Sequence, residues 1–174
     1  MLRLGALAVG ALGLVAATAV GASAALDRPS ETVRTAVVIE APRHVVWRAL
    51  TDFDSYGEWN PYITRASGYA RAGSVLELRL EPPGGAPQTV EPKVLTVRHL
   101  RKLRWQRRAL APGILDQEHE FRLYRLGPKR VRLVHDVRYE GVLAPFADLG
   151  EASRGFDLMC AALEQRAKEL APRS

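Results

Sequence analysis

Two histidines sit where an imidazole could do chemistry. In "EHEFRLYRL" strand alternation puts His119, Phe121 and Leu123 on one side, and in "VRLVHDVRYEG" it puts Val131, Leu133, His135, Val137 and Tyr139 on one side. An imidazole on such a face, beside Tyr139 or Trp105, can move a proton near neutral pH, hydrogen-bond a ligand, or simply be satisfied within a core. The neighbouring carboxylates Glu118, Glu120 and Asp136 alternate to the opposite face, so the local sequence supplies no orienting acid. His119 and His135 are therefore the only catalytic candidates, and the catalytic residues stay unassigned at this level. His44 and His99 read as exposed.

The second concentration of chemistry is "DFDSYGEWNPY", which packs Phe53, Tyr56, Trp59 and Tyr62 into a short segment broken by Gly57 and Pro61. Tyr56 and Trp59 are three apart and share a face of one helical turn. Ser55 and Glu58 have capping-box spacing, and Pro61 should stop the helix. So short an element can present its rings only to a small core or to the mouth of a cavity, where a Tyr or Trp offers an apolar body with one polar handle. Asn60 is expected to cap or turn the chain.

Other chemistries find little support. One cysteine, Cys160, gives no intramolecular disulfide, and it falls near the apolar side of a helix as a core residue. No histidine pair has zinc-binding spacing, so neither a metal nor a cofactor is expected. "PPGGAP" reads as a hairpin turn rather than a phosphate loop. The densest basic run, "RHLRKLRWQRR", would place Lys102, Arg104 and Arg108 opposite Leu103 and Trp105, as a solvated sheet face or a stripe that could meet a membrane surface.

The chain of 174 residues carries 25 basic and 19 acidic side chains, a net charge of +6. Its first residues differ from the rest: Arg3 is followed by an uncharged run from Leu4 to Leu26 that contains the small-x-small pattern Ala22-Ser23-Ala24. That run reads as a cleaved signal peptide or as a retained membrane anchor over residues 1–24, since about 20 apolar residues can span a bilayer. Either outcome puts the following domain outside the cytoplasm, exported or held at the membrane. A nucleic acid partner is not expected there, whereas a basic surface could meet anionic lipid.

The elements that must position these residues follow from periodicity. After a linker at 25–31, "TVRTAVVIE" reads as a strand, and "APRHVVWRALTD" as a short helix with Pro42 at its first position and Val46, Leu50 and Phe53 on one face. "SVLELRLE" and "QTVEPKVLTV" flank the turn, then "KLRWQ" and the two histidine-bearing segments continue an antiparallel meander with one buried face. Leu149, Phe156, Leu163 and Leu170 recur every seven residues, with Ala152, Met159 and Ala167 between them, as an amphipathic helix. The predicted order is strand, two short helices, six strands and one long helix. This is an α+β fold in which a curved antiparallel sheet and the long helix enclose a space, part of which can stay open as a ligand cavity.

"VVIEAPRHVVWRALTDFDSYGEWNPYI" resembles the opening of the SRPBCC superfamily, the START/Bet v 1-like group that includes the polyketide cyclase/dehydrase and lipid transport proteins. "HEFRL" and "VRLVHDVRYEGVLAP" are similar to later strands of that family, and the resemblance covers roughly Thr32 to Leu170 of an expected domain at 32–171. It implies a helix-grip fold with a hydrophobic cavity, and it is specific for fold rather than for function. The leading expectation is a monomer that binds or carries a hydrophobic small molecule or lipid. Tyr56, Trp59 and Tyr62 would form its lip, and Trp105, His119, Phe121, Leu133, His135 and Tyr139 its sheet wall. Phe156 and Met159 would line it from the long helix. The alternatives are a cyclase/aromatase-like enzyme using a cavity histidine, and a membrane-anchored structural or interaction module whose cavity is filled with side chains.

Overall fold

The computed structural model describes residues 28–109 and 111–172. The expected export segment at 1–24 lies outside the described residues; among those described, no helix is long and apolar enough to cross a membrane.

Strand β1 (Ser30–Ile39) leads into helix α1 (Arg43–Thr51), which buries Val45, Val46, Trp47, Ala49 and Leu50. Pro42 stands just outside this helix as its N-cap rather than at the first helical position, and its carbonyl accepts from the Val45 and Val46 N–H groups. A 3-10 turn, Phe53–Ser55, runs into the single-turn helix α2 (Tyr56–Trp59). The capping box is not formed. Because Ser55 itself has helical φ and ψ, its hydroxyl turns back and donates to the Asp52 carbonyl at 2.9 Å. Asn60 does turn the chain: its side-chain oxygen accepts from the N–H groups of Tyr62 and Ile63, at 3.0 and 2.8 Å.

Among the described residues seven strands follow α2, not six: Ile63–Ser67 matches none of the segments read as strands, and Glu91-Pro92 divides "QTVEPKVLTV" in two. They are β2 (Ile63–Ser67), β3 (Glu77–Leu80), β4 (Gln88–Val90), β5 (Lys93–Arg98), β6 (Lys102–Ala109), β7 (Leu115–Gly127) and β8 (Arg130–Glu140). A proline has no N–H for a ladder, so the strand that reaches it must end or change partner. Here it changes sheet: β1-β8-β7-β6-β5 form one antiparallel sheet and β2-β3-β4 a second, smaller one. The two are joined at one end only among the described strands. There Val75 bridges Lys93, and the Leu76 and Val94 N–H groups reach the Pro92 and Ser74 carbonyls. The β3–β4 hairpin points away from that junction.

Helix α3 (Leu149–Leu170) closes the concave side of the large sheet. Its start is set by Asp148, whose carboxylate accepts from the Glu151 N–H at 2.8 Å. The heptad-spaced face is the buried one: Phe156, Met159, Cys160, Leu163 and Ala167 meet the core, each large side chain contributing on the order of 1.5–3 kcal/mol by leaving water. The inward faces of β7 and β8 supply Phe121, Leu123, Val131, Leu133, His135, Val137 and Tyr139 in the predicted alternation.

Gly141, between β8 and α3, has φ +129°, and a side chain there would begin 2.6 Å from the Ile114 carbonyl oxygen. Both facts require glycine. We expect Gly141→Ala to lower the unfolding free energy by about 1–3 kcal/mol, read as a reduced urea midpoint at unchanged m-value.

Candidate functional site

The space predicted between sheet and helix is mostly filled. Tyr56 is a core residue, with its hydroxyl donating to the Leu50 carbonyl at 2.7 Å, and burial pushes its pKa above the usual tyrosine range. Trp59 is half-buried, its ring 4.8 Å from that of Tyr56 and its indole N–H without a partner. Phe121, Leu133, Phe156 and Met159 are all fully packed. Of the predicted ligand set, Tyr62, Trp105 and His119 face a remaining slot, together with Ile63, Leu78, Leu80, Val90 and Arg107. The slot holds about 20 Å³, room for one water and nothing larger.

A stack of rings forms the floor. Phe121 and His135 lie parallel with centroids 4.0 Å apart, and Trp105 and Phe156 pack against His119 at 5.7 and 5.5 Å. The register that places Phe121 opposite His135 brings the two imidazoles together, with His119 Nδ1 3.2 Å from His135 Nε2. One nitrogen must donate and the other accept, so the geometry suits a neutral pair. His135 is 1% exposed and its Nδ1 has no partner, while His119 stays partly open toward the slot. Burial, followed by the charge of Arg107, pushes His119 down to about 3; burial and then His119 push His135 well below its ordinary value.

Arg107 was not among the predicted site residues. It continues the inward alternation of Leu103 and Trp105, which is the signal that could have found it. Its Nη2 donates to Gln88 Oε1 of β4 at 2.9 Å, and Nη1 reaches Gln117 Oε1 of β7 at 3.5 Å. The guanidinium thus spans from the large sheet to the small one. Burial lowers its pKa, opposed by Tyr62 and Tyr139, whose own pKa values burial raises. Tyr62 closes the neighbouring gap: its ring meets Phe156 edge-on at 5.6 Å and lies where any side chain on Gly155 of α3 would begin.

The basic side chains of β6 meet acidic partners across the register. Lys102 pairs with Glu120 at 2.8 Å, Arg104 with Glu118 at 3.4 Å and Arg108 with Asp116 at 3.7 Å, so β7 neutralises them. Burial alone would raise Asp136, but Arg34 and Arg122 hold its carboxyl below the usual range. Cys160 is buried, and burial pushes its thiol up to about 12. His44 and His99 are exposed. Among the described residues, no three His, Cys, Asp or Glu side chains converge on a common point.

The family model described as polyketide cyclase / dehydrase and lipid transport matches residues 30–171. No curated protein matches. Solved structures share the fold at low identity. The Zhui aromatase/cyclase from Streptomyces sp. R1128 is 18% identical, with TM-score 0.68, 81% of this chain and 95% of that chain covered. A START superfamily protein from Mycobacterium smegmatis is 23% identical, with TM-score 0.66 and coverage of 80% and 99%. Norcoclaurine synthase from Thalictrum flavum, solved with dopamine and hydroxybenzaldehyde, is 11% identical, with TM-score 0.64 and coverage of 98% and 100%.

The neutral imidazole pair makes a pH prediction. The unfolded chain protonates its histidines near pH 6.5, whereas folded His119 does so only near 3. Below 6.5 the unfolded state binds more protons, so this contribution to stability is full above that pH and falls through the window down to 3. The loss is at most about 1.4 kcal/mol per pH unit per histidine. Urea midpoints should drop between neutral pH and pH about 5, and His119→Gln should shrink that drop.

Proposed function

Since the chain belongs to the polyketide cyclase/dehydrase and lipid transport family, we propose that it binds and carries a hydrophobic small molecule or lipid with an acidic head group, outside the cytoplasm. The observation that carries this reading is Arg107, a cation turned inward at the edge of an apolar slot with only neutral amides as hydrogen-bond acceptors. A packed core has no use for that arrangement, and binding sites are typically apolar with a few convergent polar groups.

The mechanism follows from the two sheets. The slot walls Ile63, Leu78, Leu80 and Val90 belong to the small sheet, whose Pro92 end joins the large sheet and whose β2 is tied to α2 through Asn60, while the β3–β4 hairpin is held over the slot by the Arg107–Gln88 hydrogen bond and Tyr62 packs against α3. A carboxylate or phosphate that reaches Arg107 brings an opposite charge and two acceptor oxygens that the planar guanidinium can grip bidentately, which the single amide oxygen of Gln88 cannot offer. Releasing Gln88 frees the hairpin end, and Tyr62 swings from Gly155. The apolar tail then enters along Trp105, gaining on the order of 25 cal/mol per Å² of apolar area removed from water. His119 and Tyr139 supply further polar contacts near the head group.

A second reading, a cyclase- or aromatase-like enzyme, draws on the same cluster. Arg107 would stabilise an enolate and neutral His119 would take a proton. The low basicity of His119 favours the carrier.

The test is a titration of the full chain with oleate and with oleyl alcohol, read by quenching of tryptophan fluorescence. Arg107→Met should weaken oleate by about 10-fold or more, the loss of a charged hydrogen bond, and leave oleyl alcohol within about twofold. Equal loss for both ligands, or none for either, would remove Arg107 as the head-group anchor.

A further inference from the structure

The turn between β8 and α3 carries an apolar surface that the slot does not use. Val142, Leu143, Pro145 and Phe146 are all exposed, Phe146 at 82%, while Ala144 between them is fully buried. This is not a slack loop. The N–H groups of Val142 and Leu143 donate to the Gly113 and Ile114 carbonyls at 3.1 and 3.0 Å, and a 3-10 turn, Ala144–Phe146, completes it. A rigid turn holding several large apolar side chains in water is the mark of a surface meant to be covered.

We propose that this turn inserts into the surface of a lipid bilayer and docks the mouth of the slot there. Three observations select a bilayer at this end. First, strand register places Ser30, Ala109, Leu115 and Glu140 together, so the described fold begins at the same end as the turn, and the Arg28 guanidinium lies over Gly113. The uncharged run Leu4 to Leu26 directly precedes that point, so a chain anchored or delivered through it presents this end to the membrane. Second, the β3–β4 hairpin, through Gly85 beside Glu151, and Tyr62, beside Gly155, meet the first turns of α3, which the apolar turn immediately precedes. A lipid leaving the bilayer beside Phe146 would have only a short exposed path to Arg107. Third, the ring of Phe146 and the branched side chains beside it are apolar bodies suited to the boundary of head groups and acyl chains.

The other end of the strands is the rival. Arg43, Arg98, Arg101 and Arg125 border a concavity of about 300 Å³ there, near the half-exposed Tyr124 and Leu126. It could attract anionic head groups, but its Leu123 lies about 20 Å along β7 from Gln117 of the slot, at about 3.3 Å per residue, and on the side away from the apolar turn. The inference extends the carrier reading to the place where the ligand is collected, and its test does not require that any ligand bind.

Phe146→Cys and Leu126→Cys variants of the full chain are labelled with an environment-sensitive fluorophore, the native Cys160 being buried. Each is mixed with vesicles of phosphatidylcholine and phosphatidylglycerol, with and without nitroxide on the upper acyl chain. The probe at 146 should shift to the blue and be quenched by nitroxide, and the probe at 126 should do neither. A response at 126 alone, or at neither position, overturns the proposal. So does a blue shift at 146 that needs no vesicles and grows with protein concentration, which would mean that a second copy covers the turn. Oleate binding measured on the same samples separates the two readings: lipid contact at 146 without oleate uptake removes the carrier and leaves the docking turn, and the reverse removes the turn alone.

Discussion

A guanidinium cannot be turned toward an apolar space without a loss of hydration, and that constraint on Arg107 organises the site. Its neighbours answer with neutral groups only: the amides of Gln88 and Gln117, the tyrosines Tyr62 and Tyr139, and an imidazole kept uncharged by burial and by Arg107 itself. On the opposite face of the same strands every inward choice is reversed, and Lys102, Arg104 and Arg122 lie among Glu118, Glu120 and Asp136. The carboxylates of β7 and β8 that pair with the other basic side chains of these strands face away from Arg107. An acidic ligand head is the group that best completes such an environment.

The division into two sheets gives this charge something to control. A continuous meander would make the slot a rigid part of the core. The break at Glu91-Pro92 instead leaves β2-β3-β4 joined to the large sheet at one end, while at the other Asn60 ties β2 to α2 and Arg107 fastens Gln88 of β4 across the slot. Closed, the space is about 20 Å³, far below the roughly 300–1,000 Å³ of typical small-molecule sites, so uptake must move an element rather than fill a standing void. Within the small sheet β4 is an edge strand, and Arg107 holds it through Gln88. The neutral histidine pair beneath it has no counterion and is packed between Phe121 and Phe156, which makes the floor stiff while the wall moves.

Much of the frame was legible because its signals are local. The sevenfold spacing from Leu149 to Leu170 located α3 and its buried face, and alternation in β8 named Leu133, His135 and Tyr139 as inward. Asn60 as a turn-former and Cys160 as core were legible on the same grounds. What was missed depends on register between distant strands. The acidic residues of β7 opposite Lys102, Arg104 and Arg108, the contact of His119 with His135, and the reach of Arg107 to Gln88 appear in no single segment. Ser55 and Glu58 misled because the capping-box pattern is short, and a preceding 3-10 turn already fixes Ser55 in a helical conformation.

The most direct test of the central claim is native mass spectrometry of the full chain purified without detergent, followed by extraction into organic solvent. The account predicts a reproducible mass excess over the apoprotein that is lost on denaturation, identified in the extract as a lipid or small hydrophobic acid, and absent when Arg107 is replaced by Met. A chain that stays bare after incubation with a total lipid extract would contradict it, as would a bound neutral hydrocarbon retained equally by both proteins.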